Sequence, residues 1–306
     1  MSRGELRAGH TAVITGAASG LGLALARQAA RQGLNLVMAD VQADRLQEAV
    51  AEVEALGARV LAFPLDVSQA AEVDALGAAT RARFGVPHLV FNNAGVAFGG
   101  LLWEHTPEDW AWVMGVNLMG VAHGVRVFTP MMLQAARDDP GYRGHLVNTA
   151  SMAGLLAVPN MGAYTVSKHA VVALSETLHH DLALVTQQVR AHVLCPHFVP
   201  TGIAHSHRTR PASMAHAGAS PTRSQRVAQA MSEKAVGSGR VSAEEVARLV
   251  MDAVADDRFY IFSHPQALGP VRTRMEDILG HREPSNPLAD RPEIVEQLRQ
   301  ALRDGQ

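Results

Sequence analysis

Short apolar runs that alternate with amphipathic stretches of helical length constrain the fold of this chain more than any other feature. Thr11–Thr15, Leu34–Ala39, Arg59–Phe63, His88–Phe91, His145–Thr149, Arg190–Leu194 and Phe259–Phe262 are rich in Val, Leu and Ile and read as strands. Between them Leu21–Gln32, Ala43–Leu56, Ala70–Phe84, Glu108–Ala136, Ala163–Val185 and Ala243–Ala255 read as helices. The strands are apolar along their whole length instead of at every second residue, as in a parallel sheet covered on both faces. Repeated β-α units then require right-handed crossovers. The fold class is therefore α/β: a doubly wound, seven-stranded parallel sheet with helices on both faces.

Nothing repeats, and no shift of composition marks a second domain, so residues 1–306 read as one domain. Two regions depart from the β-α pattern. Residues 200–240 lack a sustained apolar period and consist largely of Ala, Ser, His, Arg and Gly. A long irregular segment inside a compact domain is typically functional, and this one is read as a substrate lid. The atypical C-terminal tail, 265–306, carries a helix at Pro292–Arg303 but too little apolar surface to fold alone. A net charge of −2 gives no electrostatic reason to expect nucleic acid or a membrane surface. No uninterrupted apolar stretch approaches bilayer length, and no secretory leader follows the charged first ten residues. The single cysteine, Cys195, excludes an intramolecular disulfide and suits a reducing compartment. These features point to a cytoplasmic protein.

Thr15-Gly16-Ala17-Ala18-Ser19-Gly20-Leu21-Gly22 joins the first strand to the first helix. Glycines let the backbone approach a diphosphate closely, and a helix N-terminus supplies free N–H groups and a positive dipole end. The spacing G-x-x-x-G-x-G differs slightly from the G-x-G-x-x-G of Rossmann-type nucleotide sites. Asp40 follows the second strand, 24 residues after Gly16. A carboxylate there accepts hydrogen bonds from the adenosine ribose hydroxyls and repels a 2′-phosphate. No Arg or Lys stands at 41 or 42, and Ser19 occupies a place where a basic residue could meet that phosphate. Asp40 thus favours NAD over NADP, with Arg45 as the reservation. Asp66, after the third strand, is a candidate for the adenine edge or simply part of the next helix start.

Lysine is nearly absent: two occur against 25 arginines, and one is Lys168, four residues after Tyr164. With three tyrosines in the chain, a chance Tyr-x-x-x-Lys is expected roughly 0.02 times. A Lys in an Arg-using chain indicates a compact ammonium that a guanidinium cannot replace. On a helix, positions i and i+4 share a face, so phenol and ammonium can point into one pocket. A phenol needs its pKa lowered by about 3 units, or ~4 kcal/mol, to act near neutrality. A cation ~4 Å away at an effective dielectric of ~20 supplies about that much, against the opposing effect of burial.

Together, the TGAASGLG turn, Asn92-Asn93-Ala94-Gly95, Asn117, Ser151 and Tyr164-x-x-x-Lys168 resemble the short-chain dehydrogenase/reductase family, over roughly Thr11 to Ile203. The resemblance implies that Tyr164 is the general acid/base and that Ser151 holds the substrate oxygen. It implies that Lys168 tunes Tyr164 and hydrogen-bonds the nicotinamide ribose, while Asn117 kinks its helix and anchors a water. It further implies a cofactor lined by Gly16, Ser19, Gly20, Leu21, Gly22, Asp40, Asp66, Val67, Asn93, Ala94, Gly95, Tyr164, Lys168, Pro196, Val199 and Thr201. Ser151, Met152, Met161 and His197 are the substrate candidates, with Asn160 nearby. His197 stands where the family commonly has Gly after Pro196, so a side chain must be accommodated there. The function implied is NAD-dependent interconversion of a secondary alcohol and a ketone. An NADP-dependent carbonyl reductase and a non-catalytic NAD-binding protein are the alternatives. The resemblance also implies a homodimer or homotetramer, although the unusual C-terminal third leaves the tetramer contact open.

Other features carry less. His179-His180-Asp181 and His205-Ser206-His207 lack the spacing of a zinc set, so no metal is expected. Arg208, Arg210, Arg223 and Arg226 read as a solvated lid face, or else as a receptor for an anionic group. Cys195 reads as a buried residue, and Trp103, Trp110 and Trp112 as packing or rim residues.

Overall fold

The computed structural model describes residues 6–215 and 220–303. Residues 216–219 of the expected lid, 1–5, and 304–306 of the tail lie outside the described residues. Seven strands, β1 (Thr11–Thr15), β2 (Asn35–Asp40), β3 (Val60–Pro64), β4 (Leu89–Asn92), β5 (Gly144–Thr149), β6 (Val189–Cys195) and β7 (Tyr260–Phe262), form one parallel sheet in the order β3-β2-β1-β4-β5-β6-β7. The ten helices among the described residues are α1 (Gly20–Arg31), α2 (Ala43–Glu54), α3 (Ala70–Phe84), α4 (Pro107–Met114), α5 (Gly120–Asp138), α6 (Gly162–Val185), α7 (Arg223–Gly237), α8 (Ala243–Ala255), α9 (Gly269–Leu279) and α10 (Pro292–Arg303).

The unbroken apolar strands are explained by the two faces they serve. Ala12 and Ile14 of β1 pack with α1, α2 and α8 on one face, whereas Val13 packs with α3, α5 and α6 on the other. Strand order reverses between β1 and β4, and such a reversal opens a crevice at the strands' carboxyl ends.

The helix expected over Glu108–Ala136 is interrupted. Between α4 and α5 lies a π-helical turn, Gly115–Met119, centred on Asn117, which is completely buried. A widened turn of this kind inserts a residue without ending the helix. The segment Pro107–Asp138 is long enough to cross a membrane, and one 18-residue window of it reaches a mean hydropathy of 1.2. Its Val121, Phe128 and Met132 are nevertheless packed inside the domain.

The segment expected to be irregular contains α7. Thr222 caps it, its hydroxyl accepting from Gln225 N while the Gln225 side chain accepts from Thr222 N. The tail folds back: Asp277 in α9 accepts from Ser285 N (3.0 Å) and Arg282 Nε (3.0 Å), and α10 then packs on α7, with Arg223 donating to the Ala301 carbonyl.

Candidate functional site

The turn between β1 and α1 is shaped by three glycines. Gly16 (φ +67°) and Gly20 (φ +53°) adopt the left-handed region, and a Cβ on Gly22 would lie 2.0 Å from the Gly16 carbonyl oxygen. Side chains are therefore excluded, leaving a backbone cradle at the start of α1. Ser19, at the N-cap, makes no side-chain capping bond. Asp40 is buried and aimed at this cradle; its Oδ2 accepts from Ala18 N (3.1 Å) and its Oδ1 from Gln42 N (2.9 Å). A carboxylate has lone pairs beyond those two bonds, so it can still take ribose hydroxyls. Asp66 holds Ser68 N at 2.9 Å as a turn former and also faces the cleft, so both of its readings remain available.

Two threonines absent from the sequence-based site hold Asn93 in place. Thr15 Oγ1 accepts from Asn93 N (2.9 Å) and Ala94 N (3.1 Å), and Asn93 Nδ2 donates back to the Thr15 carbonyl (3.0 Å). From β5, Thr149 Oγ1 donates to Asn93 Oδ1 (3.3 Å). Their strand-end positions were the signal available in the sequence.

Ser151 follows β5 and caps a short 3₁₀ turn, its Oγ accepting from Ala153 N at 3.1 Å. Tyr164 and Lys168 lie one turn apart on α6, with Lys168 Nζ 5.9 Å from the centre of the Tyr164 ring. Lys168 is 2% exposed and donates to the Thr149 carbonyl at 2.9 Å; burial lowers its pKa to about 8. Behind it, Asn117 Oδ1 accepts from Val96 N (2.8 Å), while its Nδ2 donates to the Val96 carbonyl (3.0 Å) and to Ser167 Oγ (3.0 Å). Asn117 thus ties the β4–α4 loop to α6.

The electrostatics of the protein alone are set mainly by burial. Burial raises the Tyr164 pKa above its ordinary value, and only the Ser151 contact pulls it back. The Lys168 ammonium is turned to the Thr149 carbonyl, so in the protein itself the phenol is held protonated rather than acidified. Cys195, fully buried nearby, has its thiol pushed up by burial to about 12, as suits an inert packing residue.

A single cleft of about 930 Å³ is lined by every expected cofactor and substrate residue: Gly16, Ser19, Gly20, Leu21, Gly22, Asp40, Asp66, Val67, Asn93, Ala94, Gly95, Ser151, Met152, Met161, Tyr164, Lys168, Pro196, His197, Val199 and Thr201. Asn117 alone of the expected set lies behind the wall. His197 fits because its backbone N–H donates to Ser263 Oγ (3.0 Å) and its ring packs on Phe198 (4.3 Å); burial lowers its pKa to about 4.

Sequence reasoning named none of the residues of the outer wall. Met231 and Ala235 of α7, Leu288, and Ile294 of α10 all face the cleft. Segment 200–240 is stitched to the loop after β4 by Ser206 Oγ, which accepts from Ala97 N (3.0 Å), and Ser224 Oγ, which accepts from Leu101 N (2.9 Å). Arg210 fits neither expected arginine role. It pairs with Asp109 (2.7 Å) inside the protein and lies 5.5 Å from Phe98 and 5.2 Å from Trp112. Arg223 and Arg226 satisfy carbonyls of Ala301 and Pro221. Trp112 is buried on the cleft wall, whereas Trp103 is 80% exposed. Among the described residues no three His, Cys, Asp or Glu side chains cluster as metal ligands do.

A family model described as short chain dehydrogenase matches residues 10–212. A short-chain dehydrogenase/reductase from Burkholderia phymatum, solved in complex with NAD, superposes with a TM-score of 0.88 at 51% identity, covering 92% of this chain and 98% of that one. The 1-deoxy-11-beta-hydroxypentalenate dehydrogenase of Streptomyces exfoliatus is 36% identical, over 89% of this chain and 89% of its own length. The CLA biosynthesis dehydrogenase/reductase of Lactiplantibacillus plantarum is 32% identical, over 90% and 96%.

Proposed function

Because the chain belongs to the short-chain dehydrogenase family, and is thus an NAD(P)-dependent oxidoreductase of CH–OH groups, we propose that it interconverts a bulky secondary alcohol and its ketone using NAD. The observation that carries this reading is the convergence of Ser151, Tyr164 and Lys168 on one cleft with the glycine cradle and Asp40. When bound, the nicotinamide supplies or accepts the hydride. Tyr164, held protonated by burial, is suited to give its proton to the oxygen of an incoming ketone. Ser151, whose hydroxyl contacts the phenol, shares that oxygen and orients it. In the oxidative direction the phenol must first lose its proton, so oxidation gains as pH rises. Lys168 keeps its charge below a pH of about 8 and lends a positive field to the phenolate. Asn117 positions the Val96 backbone and, through Ser167, the turn of α6 that carries Lys168, without touching substrate.

The preference for NAD is supported by the Asp40 carboxylate and by Val41 and Gln42, which face the cleft where a 2′-phosphate would need a cation. A relative solved with NAD is in keeping with it. A bulky apolar substrate is suggested by Met152, Leu156, Met161, Trp112 and Met231 on the cleft wall, and by relatives named for hydroxypentalenate and for CLA biosynthesis. Exposed Met119, at the end of the π-helical turn, and exposed Val166 of α6 suit a homodimer or homotetramer.

A panel of secondary alcohols and ketones, followed through reduced-nicotinamide absorbance at about 340 nm with each cofactor, tests the proposal. Turnover of bulky ketones with NADH in preference to NADPH is expected. NADH binding without turnover of any panel member would favour a non-catalytic role, and an NADPH preference would favour the carbonyl reductase reading.

A further inference from the structure

The glycine cradle contains no basic side chain from Thr15 to Gly22. The first arginine of α1, Arg27, is engaged elsewhere, bonded to Glu52 and Glu244. A bound diphosphate would bring two negative charges to this backbone and to the positive end of one helix dipole. A second element reaches the same place. The Thr201 side chain lies against the cradle, its Cβ 3.1 Å from where a Gly20 Cβ would be. Thr201 then caps the 3₁₀ segment Gly202–Thr209, its Oγ1 accepting from Ile203 N. That segment folds back so that Arg208 Nη2 lies 3.4 Å from the position a Gly202 Cβ would take. Gly20, Thr201, Gly202 and Arg208 all line the cleft.

Building on the NAD-binding reading above, we propose that Arg208 supplies the cation that the glycine cradle lacks, closing over the cofactor diphosphate from the side of segment 200–240. Arg208 is suited to this in three respects. Its Nε is committed to the His205 carbonyl at 3.1 Å, which aims the guanidinium while leaving both terminal nitrogens for an anion. Among the described residues no carboxylate pairs with it: His205 faces Glu233, and Arg210 faces Asp109. A guanidinium also presents parallel N–H groups that match two phosphate oxygens at once, which a single ammonium does not. The contact would couple cofactor binding to the position of the segment that also walls the substrate chamber.

The test is equilibrium binding by calorimetry of NADH, ADP-ribose and adenosine to the wild-type protein and to Arg208→Met and Arg208→Lys. Arg226→Met, which removes a charge from the same segment outside the cleft, is the control. Arg208→Met is expected to weaken NADH and ADP-ribose roughly tenfold, the effect of losing one charge-assisted contact. Adenosine, which has no phosphate, should bind unchanged; Arg208→Lys should recover part of the loss, and Arg226→Met should match wild type. Equal weakening of adenosine would show a structural role and overturn the proposal. So would wild-type affinity of Arg208→Met for NADH and ADP-ribose, whether the ketone KM rises (an anionic substrate group is the target) or stays unchanged (the side chain is merely solvated). Absence of NADH binding to the wild-type protein would instead remove the NAD reading on which this one rests.

Discussion

Replacing Lys168 by Met gives a prediction whose size follows from burial. The ammonium is 2% exposed and its pKa falls from 10.5 to about 8. At about 1.4 kcal/mol per unit, the folded state carries a penalty of about 3 kcal/mol for keeping this group charged. The unfolded chain holds its proton up to the ordinary lysine range, whereas the folded protein releases it near pH 8. Between those values the unfolded state binds more protons, so wild-type stability gains from this site as pH rises. Met has no proton to lose. Urea denaturation of both proteins from pH 7 to about pH 10.5 should therefore show the wild type gaining about 3 kcal/mol relative to Lys168→Met across that window. The Thr149 carbonyl loses its donor in the variant, but that cost is a constant offset and leaves the slope intact. A difference flat with pH would refute the assignment of Lys168 as a buried cation. The same variant should lose turnover, since at neutral pH the protein tolerates this charge for chemistry and not for stability.

Three further outcomes follow from the structure. Asp40→Ser should raise NADPH affinity relative to NADH by about tenfold or more, measured by nucleotide fluorescence; an unchanged ratio would mean Asp40 does not select the cofactor. His145, 1% exposed and with its pKa lowered to about 3 by burial, shares a hydrogen bond with His192 (3.0 Å). The unfolded chain takes up a proton near pH 6.5 while the folded one refuses it, so stability should fall as pH drops from there, by several kcal/mol. His145→Leu should flatten that acid limb in urea titrations, and an identical limb would place the cause elsewhere. Arg210→Met removes the counter-charge of Asp109, which is fully buried and also bonded to Thr106 N. Removing one member of such a pair costs about 3–5 kcal/mol; a melting temperature unchanged by Arg210→Met would contradict a structural role for the pair.

The sheet was legible because a strand buried on both faces is apolar throughout, and because β-α alternation permits few connections. The cradle and the Tyr164/Lys168 pair were legible because each depends on local spacing: three glycines at one turn, or two side chains one helical turn apart. Helix α7 was not, since its buried positions are Ser224, Gln225, Ala228 and Val236, too small and polar to mark an apolar period. Its Thr222/Gln225 capping pair was the readable trace. Helix α9 fully buries only Asp277, and its apolar residues Met275, Ile278 and Leu279 stay exposed. The Arg210–Asp109 pair joins residues a hundred positions apart, so Arg210 looked solvated. The balance between burial and the Lys168 charge at Tyr164 was not legible in the sequence for a similar reason. Spacing places Lys168 beside the ring, but only the three-dimensional position of the Thr149 carbonyl shows where its ammonium turns.

The proton-transfer role of Tyr164 is tested most directly by measuring kcat/KM for ketone reduction together with the NADH dissociation constant in Tyr164→Phe. The variant keeps the ring that packs beside Lys168 and loses only the hydroxyl. A fall in kcat/KM of at least about a hundredfold, with NADH affinity nearly unchanged, is the predicted result. Turnover close to that of the unaltered protein would contradict it.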